Sequence, residues 1–429
     1  MSHSRRSFIK RGGIAYLSLG TVIPSVKPTV EEYAQLLLPN VQDKDPRIIA
    51  QDERFWSIIQ QSFTRNKDFI NLENGYYSCL PIQTLNAQKA HVQRLNDERS
   101  RYMRIDQVRD RENVKSRLAE FAGCSLEEVI VTRNTTESLN TVIFGLDFQP
   151  GDEVILCDQD YGSMQEQFKQ QAQRKGIKLR WVKVPLHPQS DDEIISLYKQ
   201  AISPKTRILL VSHIINITGQ VLPVRKIADM AHSHGVEVIC DGAHSFGHLD
   251  FRIPELGVDY FGTSLHKWLC CPLGSGLLYI KQDKIPQIWP LFGDVHKKSD
   301  DIRKLEHIGT QPCSTHLSIL NALDFQLTIG NKIKEERLRY LRNYWMDRVR
   351  DLPHVRINSP QEDSRSCGIG NVGVKGKSPK ELAEYLFEEH KVYTVAINRE
   401  SVQGVRVTPH LYTTLEDVEA LVTALKQFG

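Results

Sequence analysis

The chain is poor in the features that mark several large protein classes. Its eight cysteines (Cys79, Cys124, Cys157, Cys240, Cys270, Cys271, Cys313 and Cys367) are spread over 429 residues without one C-x-x-C pair. Neither a disulfide scaffold nor a zinc ribbon is indicated, and most of these thiols are expected as small buried hydrophobes. An excess of one charge is missing as well: 55 Lys and Arg against 52 Asp and Glu leave a net charge of +3. With no basic run interleaved with aromatics, no nucleic-acid partner is expected. No apolar stretch reaches the roughly 20 residues of a membrane span, and there are no internal repeats. What remains, 40% hydrophobic and 25% charged residues, is ordinary globular composition. Its length suits two to three domains, or one large domain with a smaller companion.

The first 27 residues stand apart. Arg5 and Arg6 open an S-R-R-x-F-x-K arrangement, and an uncharged apolar stretch runs from Ile14 to Ile23. This resembles a twin-arginine export signal, too short in its apolar part for a stable transmembrane span. The expectation is an exported or periplasmic protein handled by the twin-arginine machinery, a route that carries folded, cofactor-loaded proteins. The alternative is a basic N-terminus on a cytoplasmic protein.

Residues 28–67 read as an arm with helical patches. From residue 68 to 314, short β-branched runs alternate with helical patterns: VIVT from Val129, VILC from Val154, ILLVSH from Ile208, VEVIC from Val236, DYFGTS from Asp259 and GLLYI from Gly276. Such runs predict mostly parallel strands covered on both faces, hence a large doubly wound α/β domain. Residues 315–429 predict a long helix from about Thr315 to Leu352, then a small α+β domain with helices at PKELAEYLFEEH and LEDVEALVTALKQF.

Ligands in open α/β sheets bind beyond the carboxyl ends of the strands, so the polar residues following each run matter. Thr135 and Thr136 follow the first run at the start of a helical pattern. They suit a phosphate, or simply a helix cap with Glu137. Tyr161 follows the second run and Asn216 the third. Asp241 ends the fourth, with His244 three residues on; such an acid serves as a cap, a metal ligand or the partner of a cationic heterocycle. His232, His234, His244 and His248 straddle a helix end and a strand, so no metal site is expected. Lys267 follows the fifth run between Ser264, His266 and WLCC, a setting that suits a desolvated amine of lowered pKa. Together, a phosphate cradle, an aromatic, an acid and a lysine in this order meet the needs of pyridoxal phosphate.

On these motifs the sequence resembles the class V family of pyridoxal-phosphate enzymes, with the fold-type I transferase architecture, and within it the isopenicillin N epimerase-like branch. The resemblance runs from about Phe69 to the C-terminus. It implies phosphate contacts from Thr135, Thr136, Ser264 and His266, ring stacking by Tyr161, and support of the phenolic oxygen by Asn216 and His244. It also implies a protonated pyridine nitrogen held by Asp241 and a Schiff base on Lys267. Gly309 and Thr310 resemble the element that reaches a neighbouring subunit's phosphate, which implies a homodimer with shared active sites. Arg406, in VRVTPHLYTT, would take a substrate carboxylate, and Asn74, Gly75 and Tyr76 would line the substrate side.

Two departures narrow the reading. No cysteine lies between Cys367 and the C-terminus, where a desulfurase needs a mobile thiol, and the Y-N-T segment has Thr413 in place of asparagine. The run GIGNVG at Gly368 follows no strand and opens no helix, so dinucleotide binding is not expected. The resemblance implies an enzyme acting at Cα of an amino acid through an external aldimine, as an epimerase, racemase or aminotransferase. The alternatives are a C-S lyase or β-eliminase and, from another class, a non-catalytic amino-acid binding protein on the same fold.

Overall fold

The computed structural model describes residues 44–428. The export signal and residues 28–43 of the N-terminal arm lie outside the described residues. The described part of the arm forms helices Pro46–Ala50 and Glu53–Gln60, each opened by an aspartate whose carboxylate accepts first-turn N-H groups (Asp45 and Asp52). The arm is anchored by Trp56, which is fully buried against the body.

The strands in chain order are β1 (Ile70–Asn71), β2 (Val129–Thr132), β3 (Glu153–Cys157), β4 (Lys178–Val182), β5 (Thr206–Ser212), β6 (Glu237–Asp241) and β7 (Tyr260–Ser264). There follow β8 (Gly276–Ile280), β9 (Val355–Ile357), β10 (Gly370–Val374), β11 (Val392–Tyr393), β12 (Val395–Asn398) and β13 (Gln403–Val407). Seven of them form one sheet in the order β2-β8-β7-β6-β5-β3-β4. Their apolar runs are continuous because both faces are buried. Ile155, Leu209, Val211 and Val238 pack into one core, while Val154, Leu156, Ile208, Leu210 and Ile239 pack into the other. At about 1.5–3 kcal/mol for each fully buried aliphatic side chain, this alternation fixes the register of every strand.

The sheet is mostly parallel, as expected: only β8 runs antiparallel to its neighbours β7 and β2, because β7 returns through the loop 265–275 rather than through a crossover helix. That hairpin loop carries Lys267. Strand β4 has no counterpart among the predicted runs, since it lies at the sheet edge and its sequence KLRWV is largely exposed. The long helix expected from Thr315 to Leu352 is two helices, Cys313–Ile329 and Asn331–Val349, separated at Gly330, whose φ of 91° breaks the first.

A second sheet of four antiparallel strands, β12-β13-β10-β9, packs against helices Pro379–His390 and Leu415–Gln427 around Val372, Val405, Leu421 and Trp345. The GIGNVG run enters this sheet as β10. Its glycines answer to packing: a Cβ on Gly370 would lie 2.6 Å from the Trp345 ring, and one on Gly373 2.6 Å from the carbonyl of Gln403. No helix among the described residues is long and apolar enough to cross a membrane.

Candidate active site

The carboxyl ends of β6 and β7 and the start of helix Thr135–Gly145 converge on one cleft. Asp241 is the last residue of β6 and is buried. Its Oδ1 accepts the N-H of Ala243 at 2.9 Å. Desolvation raises the carboxyl above its ordinary value, opposed by that hydrogen bond and by the Lys267 ammonium. Ser264 ends β7, and its hydroxyl meets Thr135, accepting the backbone N-H at 2.9 Å and lying 2.7 Å from Oγ1. Asn134 caps this helix, accepting the N-H of Glu137 at 2.9 Å. Thr135 and Thr136 therefore form its first turn, and the Glu137 carboxylate binds the backbone and guanidinium of Arg133 instead of closing a capping box.

Lys267 lies on the β7–β8 loop, partly open to the cleft yet closely surrounded by protein. Its Nζ is 3.1 Å from Nε2 of His244 and 5.9 Å from the centroid of the Tyr161 ring. Desolvation lowers its pKa to about 8; Asp241 opposes the shift and Arg406 adds to it. Burial and the same lysine hold His244 well below the usual imidazole range, so its ring is neutral. His266, next to the lysine, is held at about 4 by burial first and by Lys267 second.

Arg406 of β13, whose charge acts on both Lys267 and His244, is 7% exposed. It makes a two-point ion pair with Glu73, with Nε to Oε2 at 3.0 Å and Nη2 to Oε1. Its Nη1 donates to the backbone carbonyl of Asn216 at 3.1 Å. Asn216 thus meets the arginine through its main chain.

The structure does not bring every expected residue to this cleft in the way expected. The N-H of Thr135 is engaged by Ser264, so its assignment as a free phosphate donor requires that bond to be exchanged. The side chain of Asn74, expected on the substrate side, turns inward. It is fully buried, donating to the carbonyl of Thr408 at 2.7 Å and accepting from the Tyr412 hydroxyl at 2.6 Å. It fastens the NLENG segment to the residues that follow β13. Tyr76 is 73% exposed, its N-H held by Glu73 at 3.1 Å. Thr310 is exposed on the loop before helix Cys313–Ile329. Three residues with direct influence on the site were not singled out from sequence: Glu73, Trp268 and Asp160. Asp160, buried beside Ser212 and acted on by the Asp241 charge, has its pKa raised to about 7, chiefly by desolvation.

These residues fit a phosphorylated, cationic heterocycle. A helix N-terminus with hydroxyls suits the phosphate, a buried acid suits a ring cation, and an amine of lowered pKa suits Schiff-base formation. Gly276 leaves the space beneath the phosphate turn clear: a Cβ there would lie 2.6 Å from the Asn134 nitrogen. Residues 62–421 match the family model Aminotransferase class-V. The chain belongs to the class V aminotransferase family and is a pyridoxal-phosphate-dependent enzyme of fold type I.

Its relatives in that family include isopenicillin N epimerase of Amycolatopsis lactamdurans, 29% identical over 73% of this chain and 84% of that protein. Cysteine desulfurase of Haloferax volcanii is 29% identical over 73% of this chain and 78% of that protein. Among solved structures, the cystine C-S lyase C-DES in complex with cysteine persulfide superimposes with a TM-score of 0.75 at 25% identity, over 85% of this chain and 98% of that one. A lysine-to-alanine mutant of C-DES with glycine covalently linked to the cofactor gives 0.78 at 24% identity, over 86% of this class V chain and 99% of the other.

Proposed function

We propose that this enzyme labilises a bond at Cα of an amino acid, in the manner of an isopenicillin N epimerase-like epimerase or racemase, or of an aminotransferase. The observation that carries the reading is the contact of Lys267 with His244 at 3.1 Å, beside Asp241 and under Tyr161, at the carboxyl ends of β6 and β7. When bound, pyridoxal phosphate supplies an electron sink that stabilises negative charge at Cα. Thr135, Thr136, Ser264 and His266 would hold its phosphate, Asp241 its ring nitrogen, and Asn216 and His244 its phenolic oxygen. Lys267 would hold the cofactor and would take and return the Cα proton as general base and acid. An amine with a pKa of about 8 does both near neutrality, which an ordinary lysine does poorly. Arg406 orients the substrate through its carboxylate, and Tyr161 closes one side of the cleft.

A C-S lyase or β-eliminase is the second reading, favoured by the likeness to C-DES. It needs no mobile thiol, and this chain has none after Cys367. A desulfurase that carries sulfur on a cysteine is disfavoured for the same reason.

The exposed Gly309 and Thr310 support a homodimer in which each subunit completes its neighbour's phosphate site. Arg5, Arg6 and the apolar stretch after them support export by the twin-arginine pathway. Borohydride reduction of the yellow protein, followed by peptide mapping, is expected to place the modification on Lys267. Screening amino acids for racemisation, keto-acid release and sulfide then selects the reaction. A colourless protein that cannot be reconstituted with pyridoxal phosphate, yet binds amino acids, would overturn the enzyme in favour of a binding protein.

A further inference from the structure

The ion pair between Arg406 and Glu73 has no place in the chemistry above, and it changes what the arginine can offer. A guanidinium has five N-H donors. Glu73 takes the edge formed by Nε and Nη2, and the carbonyl of Asn216 takes one hydrogen of Nη1. One hydrogen on each terminal nitrogen remains, enough for a single end-on carboxylate. The flat face is closed on one side by Gly75, where a Cβ would sit 3.2 Å from both Cζ and Nη2 of Arg406.

Glu73 is also held in place. It lies beside Thr408 in a parallel bridge. The next two residues are fastened to the same threonine, whose Oγ1 accepts the N-H of Asn74 at 2.6 Å and that of Gly75 at 3.0 Å. Its own Oε1 accepts the N-H of Tyr76 at 3.1 Å. Both partners of the pair are less than one-tenth exposed, so solvent screens the interaction little. A substrate carboxylate arriving here meets a neutral pair and a second carboxylate a few ångströms away, where like charges disfavour one another.

We propose that Glu73 is a specificity-determining residue: it cancels the charge of Arg406 and occupies its side-on edge, so that a substrate carboxylate binds only end-on and against the repulsion of Glu73. The subsite then separates a carboxylate from an uncharged group weakly, and it admits substrates whose group at this position is an amide or ester as well as the free acid. This inference rests on the reading of Lys267 as the cofactor lysine and Arg406 as the carboxylate-facing residue.

The test compares two aminooxy reagents that attack the cofactor on Lys267 and release its amine: aminooxyacetate, which carries a carboxylate, and methoxyamine, which does not. Rates of oxime formation are followed by the visible spectrum, independently of turnover. In the wild type the two reagents are expected to react within about tenfold of each other, since the arginine is already neutralised. Glu73→Gln, which keeps the shape and an acceptor for the Tyr76 N-H, should speed aminooxyacetate by about tenfold or more and leave methoxyamine within about twofold. Glu73→Asp keeps the charge on a shorter arm and should give a smaller gain, and adding Arg406→Gln to Glu73→Gln should remove it. If aminooxyacetate slows or is unchanged in Glu73→Gln while methoxyamine reacts normally, Glu73 is a support that aims Arg406 and the inference fails. If neither reagent reacts at Lys267 in the wild type, the cofactor assignment itself fails and takes the inference with it.

Discussion

The indole N-H of Trp268 donates to Nδ1 of His244 at 3.2 Å. An imidazole nitrogen that accepts carries no proton, so the neutral ring bears its hydrogen on Nε2, the atom facing Lys267. The indole is itself fixed in a buried aromatic column. Its centroid lies 3.8 Å from that of His248 and, stacked, 5.3 Å from that of His410, which stacks in turn on Tyr412 at 5.0 Å. Trp268 is thus a positioning residue, one that makes His244 a donor toward the cleft. Nitrogen-15 NMR of histidine-labelled protein should show His244 as the Nε2-H tautomer. Trp268→Phe should yield a mixture of tautomers and a shifted cofactor absorption band, and an unchanged His244 spectrum in that variant would refute the assignment.

The lowered pKa of Lys267 makes a prediction about the apoprotein. Only the neutral amine attacks the cofactor's aldehyde. In the fold that form predominates above about 8, whereas an ordinary lysine of 10.5 remains charged until much higher pH. The rate of reconstitution should therefore rise as pH passes through about 8 and level off before 10. Asp241 favours the ammonium form, so Asp241→Asn should move the midpoint to lower pH. A midpoint that stays near 10 in the wild type would contradict the desolvated environment.

Gly276→Ala should act on phosphate affinity. The added methyl would press on the Asn134 nitrogen at 2.6 Å and on the Thr132 hydroxyl at 2.7 Å, pushing the start of helix Thr135–Gly145 outward. Equilibrium dialysis against pyridoxal phosphate is expected to show binding weakened by about tenfold or more, with the circular dichroism of the folded protein retained. Undiminished affinity would mean that the turn relaxes without cost.

The arm makes a prediction about stability. Arg337 is fully buried, and it donates to the carbonyl of Ala50 at 2.9 Å and to both oxygens of Glu53 while lying over the Trp56 ring. Arg337→Ala removes the charge that satisfies these groups and should cost about 3 kcal/mol, read as a lower midpoint in urea. Because Glu53 is 40% exposed, Glu53→Ala should cost less only if water replaces it at the buried guanidinium; a larger loss from Glu53 would show that the unpaired arginine dominates.

Much of this protein was legible in one dimension. The inner strands of the large sheet appear as apolar runs because burial on both faces admits no alternation, and Asp241, Ser264 and Lys267 follow those runs because a strand's carboxyl end is where the chain turns into the cleft. Edge strand β4 escaped because exposure leaves KLRWV without a pattern, and the antiparallel return of β8 escaped because local periodicity carries no direction. The side chain of Asn74 looked available in its motif. Its inward turn toward Thr408 and Tyr412 depends on residues more than 330 positions away.

The sequence by itself determined the family and with it the cofactor, since the order of hydroxyl-bearing turn, aromatic, acid and lysine follows from strand-to-loop connectivity along the chain. Tertiary structure alone decided how those groups are tuned. The charge of Arg406 is met by Glu73 across 333 positions, and the proton of His244 is placed by Trp268. Ion pairing and tautomer choice act over a few ångströms, so they belong to whichever distant segments the fold brings into contact.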